Sequence, residues 1–150
     1  MHLLNTVSNI KSLFNNKALI YVALIFTEKN FNVGKYLEIE LEFRTSELNG
    51  ILISVAEPIG SPALSLEVHN GKVVMSCDLG DNQLFRAETQ FISKFSLCDN
   101  QWHNISALYE TSQIVIRIDN QPSIIQFAPN RSIGKVQTKS SLYIGGLPGN

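Results

Sequence analysis

The chain is poor in the residues that most often do chemistry. Its 150 residues include two cysteines, Cys77 and Cys98, one tryptophan and three histidines. Two cysteines cannot make a dense disulfide framework, and without a neighbouring His or Cys cluster they are poor zinc ligands. Whether they pair depends on a distance the sequence does not give, and two separate thiols is the simpler expectation. No serine sits on a strained nucleophile turn, so His2, His69 and His103 do not suggest a Ser-His-Asp triad. An excess of one charge is also missing. The net charge is -1 and the 12 basic residues are scattered along the chain, which argues against nucleic acid as a partner. The apolar run Ala18–Phe26 (ALIYVALIF) is too short to span a bilayer, so no membrane insertion is expected. It has the length of a signal-peptide core, but Thr27, Glu28 and Lys29 offer no small-residue cleavage site, and a buried first strand is the favoured reading. Linkers, repeats and low-complexity stretches are absent. With 44% hydrophobic residues the chain suits one domain with a substantial core.

What is abundant is alternation. From Tyr36 to Arg44, Leu37, Ile39, Leu41 and Phe43 fall on one face and Glu38, Glu40, Glu42 and Arg44 on the other, the signature of a half-buried strand. Asn49-Gly50 reads as a turn and Ile51–Val55 as the returning strand. Leu64, Leu66 and Val68 alternate up to Asn70-Gly71, which predicts a type I′ hairpin into Lys72–Cys77. Ile105, Ala107 and Tyr109, then Ile114, Ile116 and Ile118, repeat the pattern. Asp119-Asn120-Gln121-Pro122 supplies turn chemistry, and a last strand, Ser141–Ile144, runs into Gly145-Gly146. Residues 93–101 read as an irregular crossing loop. Short strands at this spacing with no helical stretch predict an all-β, antiparallel two-sheet β-sandwich. Its inward faces are expected to hold Leu37, Ile39, Leu41, Phe43, Ile105 and Trp102, the last as a large apolar body between the sheets.

Three segments carry a family resemblance. Leu41-Glu42-Phe43-Arg44-Thr45-Ser46 followed by Asn49-Gly50-Ile51-Leu52 is similar to an "EFRT…GLL" strand–turn–strand. Leu97-Cys98-Asp99-Asn100-Gln101-Trp102-His103 resembles "LCDGQWH", and Leu142-Tyr143-Ile144-Gly145-Gly146-Leu147-Pro148 resembles "YVGGLP". In order and spacing, across roughly residues 31–148, they resemble the laminin G-like domains, in wording nearest those at the C-terminal end of laminin α chains. Phe14-Asn15-Asn16 followed by Tyr21-Val22-Ala23-Leu24 is a loose version of that family's opening strand. The expected domain is therefore a jelly-roll, laminin G-like sandwich over residues 14–150, with 1–13 unassigned.

The resemblance implies a secreted, extracellular-matrix adhesion module that is not an enzyme. Its expected partners are cell-surface receptors of the integrin or dystroglycan type and heparan sulfate. Sulfated glycans need clustered basic residues, and Arg131, Lys135 and Lys139 form the only loose group, with Lys72 and Lys94 elsewhere. Asn104-Ile105-Ser106 and Asn130-Arg131-Ser132 are sequons that would accept glycans at Asn104 and Asn130 in a secreted chain. His103 is expected to be a packing or hydrogen-bonded residue. The family's calcium site uses two aspartates on neighbouring rim loops. Here 57–63 offers only Glu57 and 137–141 no acid, so no metal and no other cofactor is expected. The family's final strand bears the cysteine that partners the one in "LCD", and by that pattern the sandwich lacks its last strand. Two other functions compete with this reading. A glycoside hydrolase could use Glu38, Glu40 and Glu42, spaced about 7 Å apart along one strand face, since side-chain rotation could bring a pair within the roughly 5–5.5 Å of a retaining mechanism. A solvated outer face is the plainer account of those carboxylates. A lectin-like sugar binder would pair amides and carboxylates with an exposed aromatic, and no local cluster in the sequence does so.

Overall fold

A computed structural model describes residues 6–13, 33–56, 63–78, 84–90, 97–128 and 141–145. Among them ten strands form two five-stranded sheets, and no helix occurs. The first sheet contains β1 (Thr6–Leu13), β2 (Tyr36–Arg44), β7 (His103–Glu110), β8 (Gln113–Ile118) and β9 (Ile124–Phe127), ordered β1-β2-β7-β8-β9. The second contains β3 (Gly50–Ala56), β4 (Leu64–His69), β5 (Lys72–Asp78), β6 (Leu84–Glu88) and β10 (Ser141–Ile144), ordered β10-β3-β4-β5-β6. All pairs are antiparallel except β1–β2, which is parallel from Thr6↔Glu38 to Leu13↔Arg44. Residues 6–13 thus form a strand where the sequence offers no assignment, while Ala18–Phe26 lies outside the described residues.

The alternation becomes the core directly. Leu37, Ile39 and Phe43 are fully buried and Leu41 nearly so, while Glu40 between them is exposed. Register then stacks like with like: Ile105, Ala107 and Tyr109 on β7 pair with Ile118, Ile116 and Ile114 on β8. The facing layer comes from Leu64, Leu66 and Val68, paired with Cys77, Met75 and Val73. Each large side chain so buried contributes roughly 1.5–3 kcal/mol against its exposed state. β3 and β5 show little alternation because they are buried on both faces. Their outer positions carry a row of small buried side chains, Ser54, Ser65 and Ser76, directly paired across β3, β4 and β5.

Two expectations are corrected. Asn49-Gly50 does not close a hairpin, because β2 and β3 belong to different sheets and residues 45–49 carry the chain across the sandwich. Left-handed backbone, which a type I′ turn needs at both central residues, is found at Asn70 (φ 50°) and Gly71 (φ 74°) and not at Asn49 or Gly50. Thr45 makes the bend instead: its buried hydroxyl oxygen accepts the Glu47 N–H at 2.8 Å, a local turn that redirects the chain. The second correction is Trp102, which is 45% exposed and does not fill the core. Parity explains it. Trp102 lies an odd number of residues from Ile105, so with Ile105 inward, His103 points in and Trp102 points out.

These backbone conformations separate two glycines that look alike in sequence. A Cβ at Gly50 meets nothing within 4 Å, so Gly50→Ala should leave stability unchanged or raise it by up to about 1 kcal/mol. Gly71→Ala should cost about 1–2 kcal/mol, since its φ of 74° is strained for any L side chain. Urea unfolding of the two variants checks the contrast, and equal effects would contradict the hairpin assignment.

Candidate functional site

Four connections meet at one end of the sandwich: residues 45–49, the Asn70-Gly71 turn, residues 97–102 and the turn beginning at Asp119. Hydrogen bonds tie them together. Leu48 O accepts the Gly71 N–H at 2.8 Å, Asn49 Oδ1 accepts the Asn70 N–H at 2.9 Å, and Thr45 O accepts the Asn100 N–H at 3.0 Å. The Cys98 thiol donates to Glu47 O at 3.1 Å. Asn100 (φ 62°) and Asp119 (φ 49°) both adopt left-handed backbone, which short polar side chains tolerate better than most.

At the centre of this rim stands His103, on the first residue of β7 and 5% exposed. Its Nδ1 lies 2.9 Å from Asp119 Oδ2 and its Nε2 3.0 Å from Asp99 Oδ1. Carboxylates only accept, so a ring nitrogen that carries a proton donates it to the aspartate beside it. An apolar neighbour is Phe43, directly opposite in the β2–β7 ladder, with its ring centroid 5.8 Å away. Asp119 does double duty, its Oδ1 accepting the Asn104 N–H at 2.8 Å while its own N–H donates to Asn104 O at 2.8 Å. Asp99 Oδ1 also accepts the Gln101 N–H at 2.8 Å. Burial opposes ionisation of Asp99, but the bond from Gln101 and the His103 ring outweigh it and hold the carboxyl below the ordinary aspartate range. On the outside of the same corner the Arg44 guanidinium lies over the Trp102 ring, 5.5 Å from its centroid. An open cavity of about 220 Å³ adjoins the rim between the sheets, lined by apolar Leu97, Ile116 and Ile118 and by polar Lys72, Thr89 and Gln121.

This arrangement docks the loops of the rim on one another. Both nitrogens of His103 are engaged by carboxylates, and among the described residues no three His, Cys, Asp or Glu side chains are grouped to hold a metal ion. The two thiols form no disulfide with each other. Burial, helped by Asp78, pushes Cys77 up to about 12; burial, then Asp99 and Glu47, raises Cys98. Neither is poised as a thiolate nucleophile.

The carboxylates of Glu38, Glu40 and Glu42 lie along the outer face of β2. Glu40 is exposed and Glu38 and Glu42 are half-buried, and Tyr36 donates its phenol to Glu38 Oε2 at 3.0 Å. Asn104 is exposed on β7 opposite Glu42. Asn130, Arg131, Lys135 and Lys139 lie outside the described residues, as does Lys94. Lys72 is paired with Glu88 at 3.0 Å. Asp99 and Asp119 went unmarked in the sequence as partners of His103. The turn at 119–122 was visible, but nothing local shows that it folds back on a histidine 16 residues earlier.

Two outcomes follow for the rim. Asp119→Ala should cost about 1–3 kcal/mol by leaving the Asn104 N–H and the His103 ring without their acceptor, as denaturant unfolding will measure. Because Asp99 titrates lower in the folded chain than its unfolded value of about 3.9, its contribution is present above that pH and lost as pH falls through the depressed folded value. Asp99→Asn should therefore flatten the acid limb of a stability-against-pH curve, and an unchanged limb would contradict this assignment.

Residues 43–150 match the family model described as "Laminin G domain". Mouse laminin subunit alpha-1 is 30% identical over 128 residues, covering 85% of this chain and 4% of that protein. The mouse basement membrane-specific heparan sulfate proteoglycan core protein is 33% identical over 114 residues, covering 73% of this chain and 3% of its own length. The chain thus spans only a few per cent of these relatives, which are secreted proteins of basement membrane and extracellular matrix. Among solved structures, domains LG4-5 of the mouse laminin alpha1 chain superpose with a TM-score of 0.73 at 30% identity, covering 85% of this chain and 33% of that one. By sequence match and by architecture, the chain belongs to the laminin G domain family.

Proposed function

We propose that the chain is a non-catalytic, extracellular adhesion module that engages cell-surface receptors of the integrin or dystroglycan type and sulfated glycans such as heparan sulfate. The observation that carries this is its similarity in sequence and fold to domains LG4-5 of laminin alpha1 over most of its length. The chemistry of the described residues supports it. The rim engages polar groups in internal hydrogen bonds, and the acidic face of β2 points outward along a sheet. For a sulfated glycan the binding residues would be Arg131, Lys135 and Lys139, three cations within one short segment of a chain whose net charge is -1. Calcium is expected to have no part in this function, because residues 57–63 and 137–141 together carry a single carboxylate, Glu57.

Heparin retention tests the proposal. Exposed ion pairs contribute about 0.2–1 kcal/mol each, so replacing Arg131, Lys135 and Lys139 together with Ala should weaken heparin binding about tenfold and lower the salt needed for elution. Unchanged retention would remove this segment from the reading, and failure of the parent chain to bind heparin or purified receptors would remove the adhesive function. Millimolar calcium should leave both binding and the thermal melt unchanged. Glu38→Gln and Glu42→Gln should change stability by no more than about 0.5 kcal/mol, and polysaccharide cleavage that those changes abolish would favour the hydrolase.

A further inference from the structure

We propose that Asn104 carries an N-linked glycan and that the exposed ring of Trp102 is the platform on which its first N-acetylglucosamine rests. The chain's single tryptophan is 45% exposed at the rim, although a ring of that size buries more apolar surface than almost any other side chain. Trp102 and Asn104 have the same parity, with buried His103 between them, so both project from the outer face of the first sheet. Their Cα atoms are about 7 Å apart by strand rise, close enough for one sugar ring attached at Asn104 to cover the indole. Ser106, the hydroxyl residue of the sequon, lies on the same face one step further along β7.

The surroundings suit a sugar. Arg44 covers one part of the ring from β2, holding the indole in place while leaving nearly half of the residue open. Glu42 stands directly opposite Asn104 in the ladder and offers carboxylate oxygens to hydroxyls and to the acetamido N–H. The backbone of Asn104 is fixed through its N–H and its carbonyl, both bonded to Asp119, so the attachment point is rigid. The covalent step needs a lipid-linked oligosaccharide pyrophosphate as donor. The Asn104 Nδ2 attacks the anomeric carbon of the terminal N-acetylglucosamine and forms one C–N bond. The C–O bond to pyrophosphate breaks, its electron pair leaves on the pyrophosphate oxygen, and Nδ2 loses one proton. The sugar's apolar face then lies on the ring, and a surface that would otherwise be wet aromatic becomes covered. The inference rests on the extracellular residence proposed above, which gives the chain access to that donor.

The test uses the full chain secreted from cultured animal cells behind a cleavable signal sequence. Peptide mass spectrometry should find hexosamine on Asn104. Trp102 is the only tryptophan, so its emission reports this corner alone. In the glycosylated chain acrylamide quenching should be weaker, and emission at shorter wavelength, than in Asn104→Gln or in Ser106→Ala, which destroys the sequon but keeps the amide. Trimming the glycan to one N-acetylglucosamine with an endoglycosidase should preserve the protection, and complete removal should abolish it. An unmodified Asn104 in the secreted chain overturns the proposal, and so does a modified Asn104 whose complete deglycosylation leaves tryptophan emission and quenching unchanged. Heparin retention of the same samples reports on residues 131–139, so failure of the adhesive function is seen separately.

Discussion

The inward position of His103 is the constraint on which this end of the molecule depends. Side chains alternate strictly along β7, so placing the imidazole beside Phe43 commits Ile105, Ala107 and Tyr109 to the core and Trp102, Asn104 and Ser106 to the outside. A slip of one residue would bury Asn104 and expose Ile105. A buried imidazole is tolerable only if both nitrogens are satisfied, and Asp119 and Asp99 satisfy them from two different loops. Register, core composition and loop docking are therefore settled together by one polar side chain at the edge of an apolar layer.

The rim pairs backbone groups of its irregular segments with one another. Residues 45–49, 70–71 and 97–100 contribute donors and acceptors to one another, and three of the left-handed residues at this end, Asn70, Asn100 and Asp119, are of the short polar kind that tolerates the conformation. Loops bonded in this way hold their shape with few apolar contacts of their own, so this end can carry sequence variation on its outward side chains while its backbone stays fixed.

Much of the fold was legible because its signals are local. The alternation of Leu37–Phe43 and of Ile114–Ile118 gives strands and faces without reference to anything distant, and Asn70-Gly71 encodes its turn in two residues. What stayed hidden depends on partners far along the chain. Whether β3 returns beside β2 or crosses to another sheet is decided by Thr45 and by bonds from Gly71 and Asn100, which no window around Asn49-Gly50 contains. The His103–Asp119 contact is hidden in the same way. Trp102 is different, for its exposure follows from its odd separation from Ile105, and the size of the side chain outweighed that count. On the candidate site, the sequence marked Asn104 and the basic residues at 131–139 but not the two aspartates that organise the rim.

The order of strands in the second sheet bears on how the chain reaches this structure. Ile144 of β10 pairs with Ile53 of β3, about 90 residues earlier, while β3 to β6 join neighbours next in sequence. During synthesis at about 5–20 residues per second, β3 therefore emerges roughly 5–20 s before the strand that covers its free edge. Throughout that interval its unpaired backbone and the apolar stretch Ile51-Leu52-Ile53 are open to the wrong neighbour. The ribosome-bound chain thus passes through a stage in which four strands of a sheet exist without their closing member. The demand this makes on the cell's folding assistants comes from the connectivity and not from the stability of the finished domain.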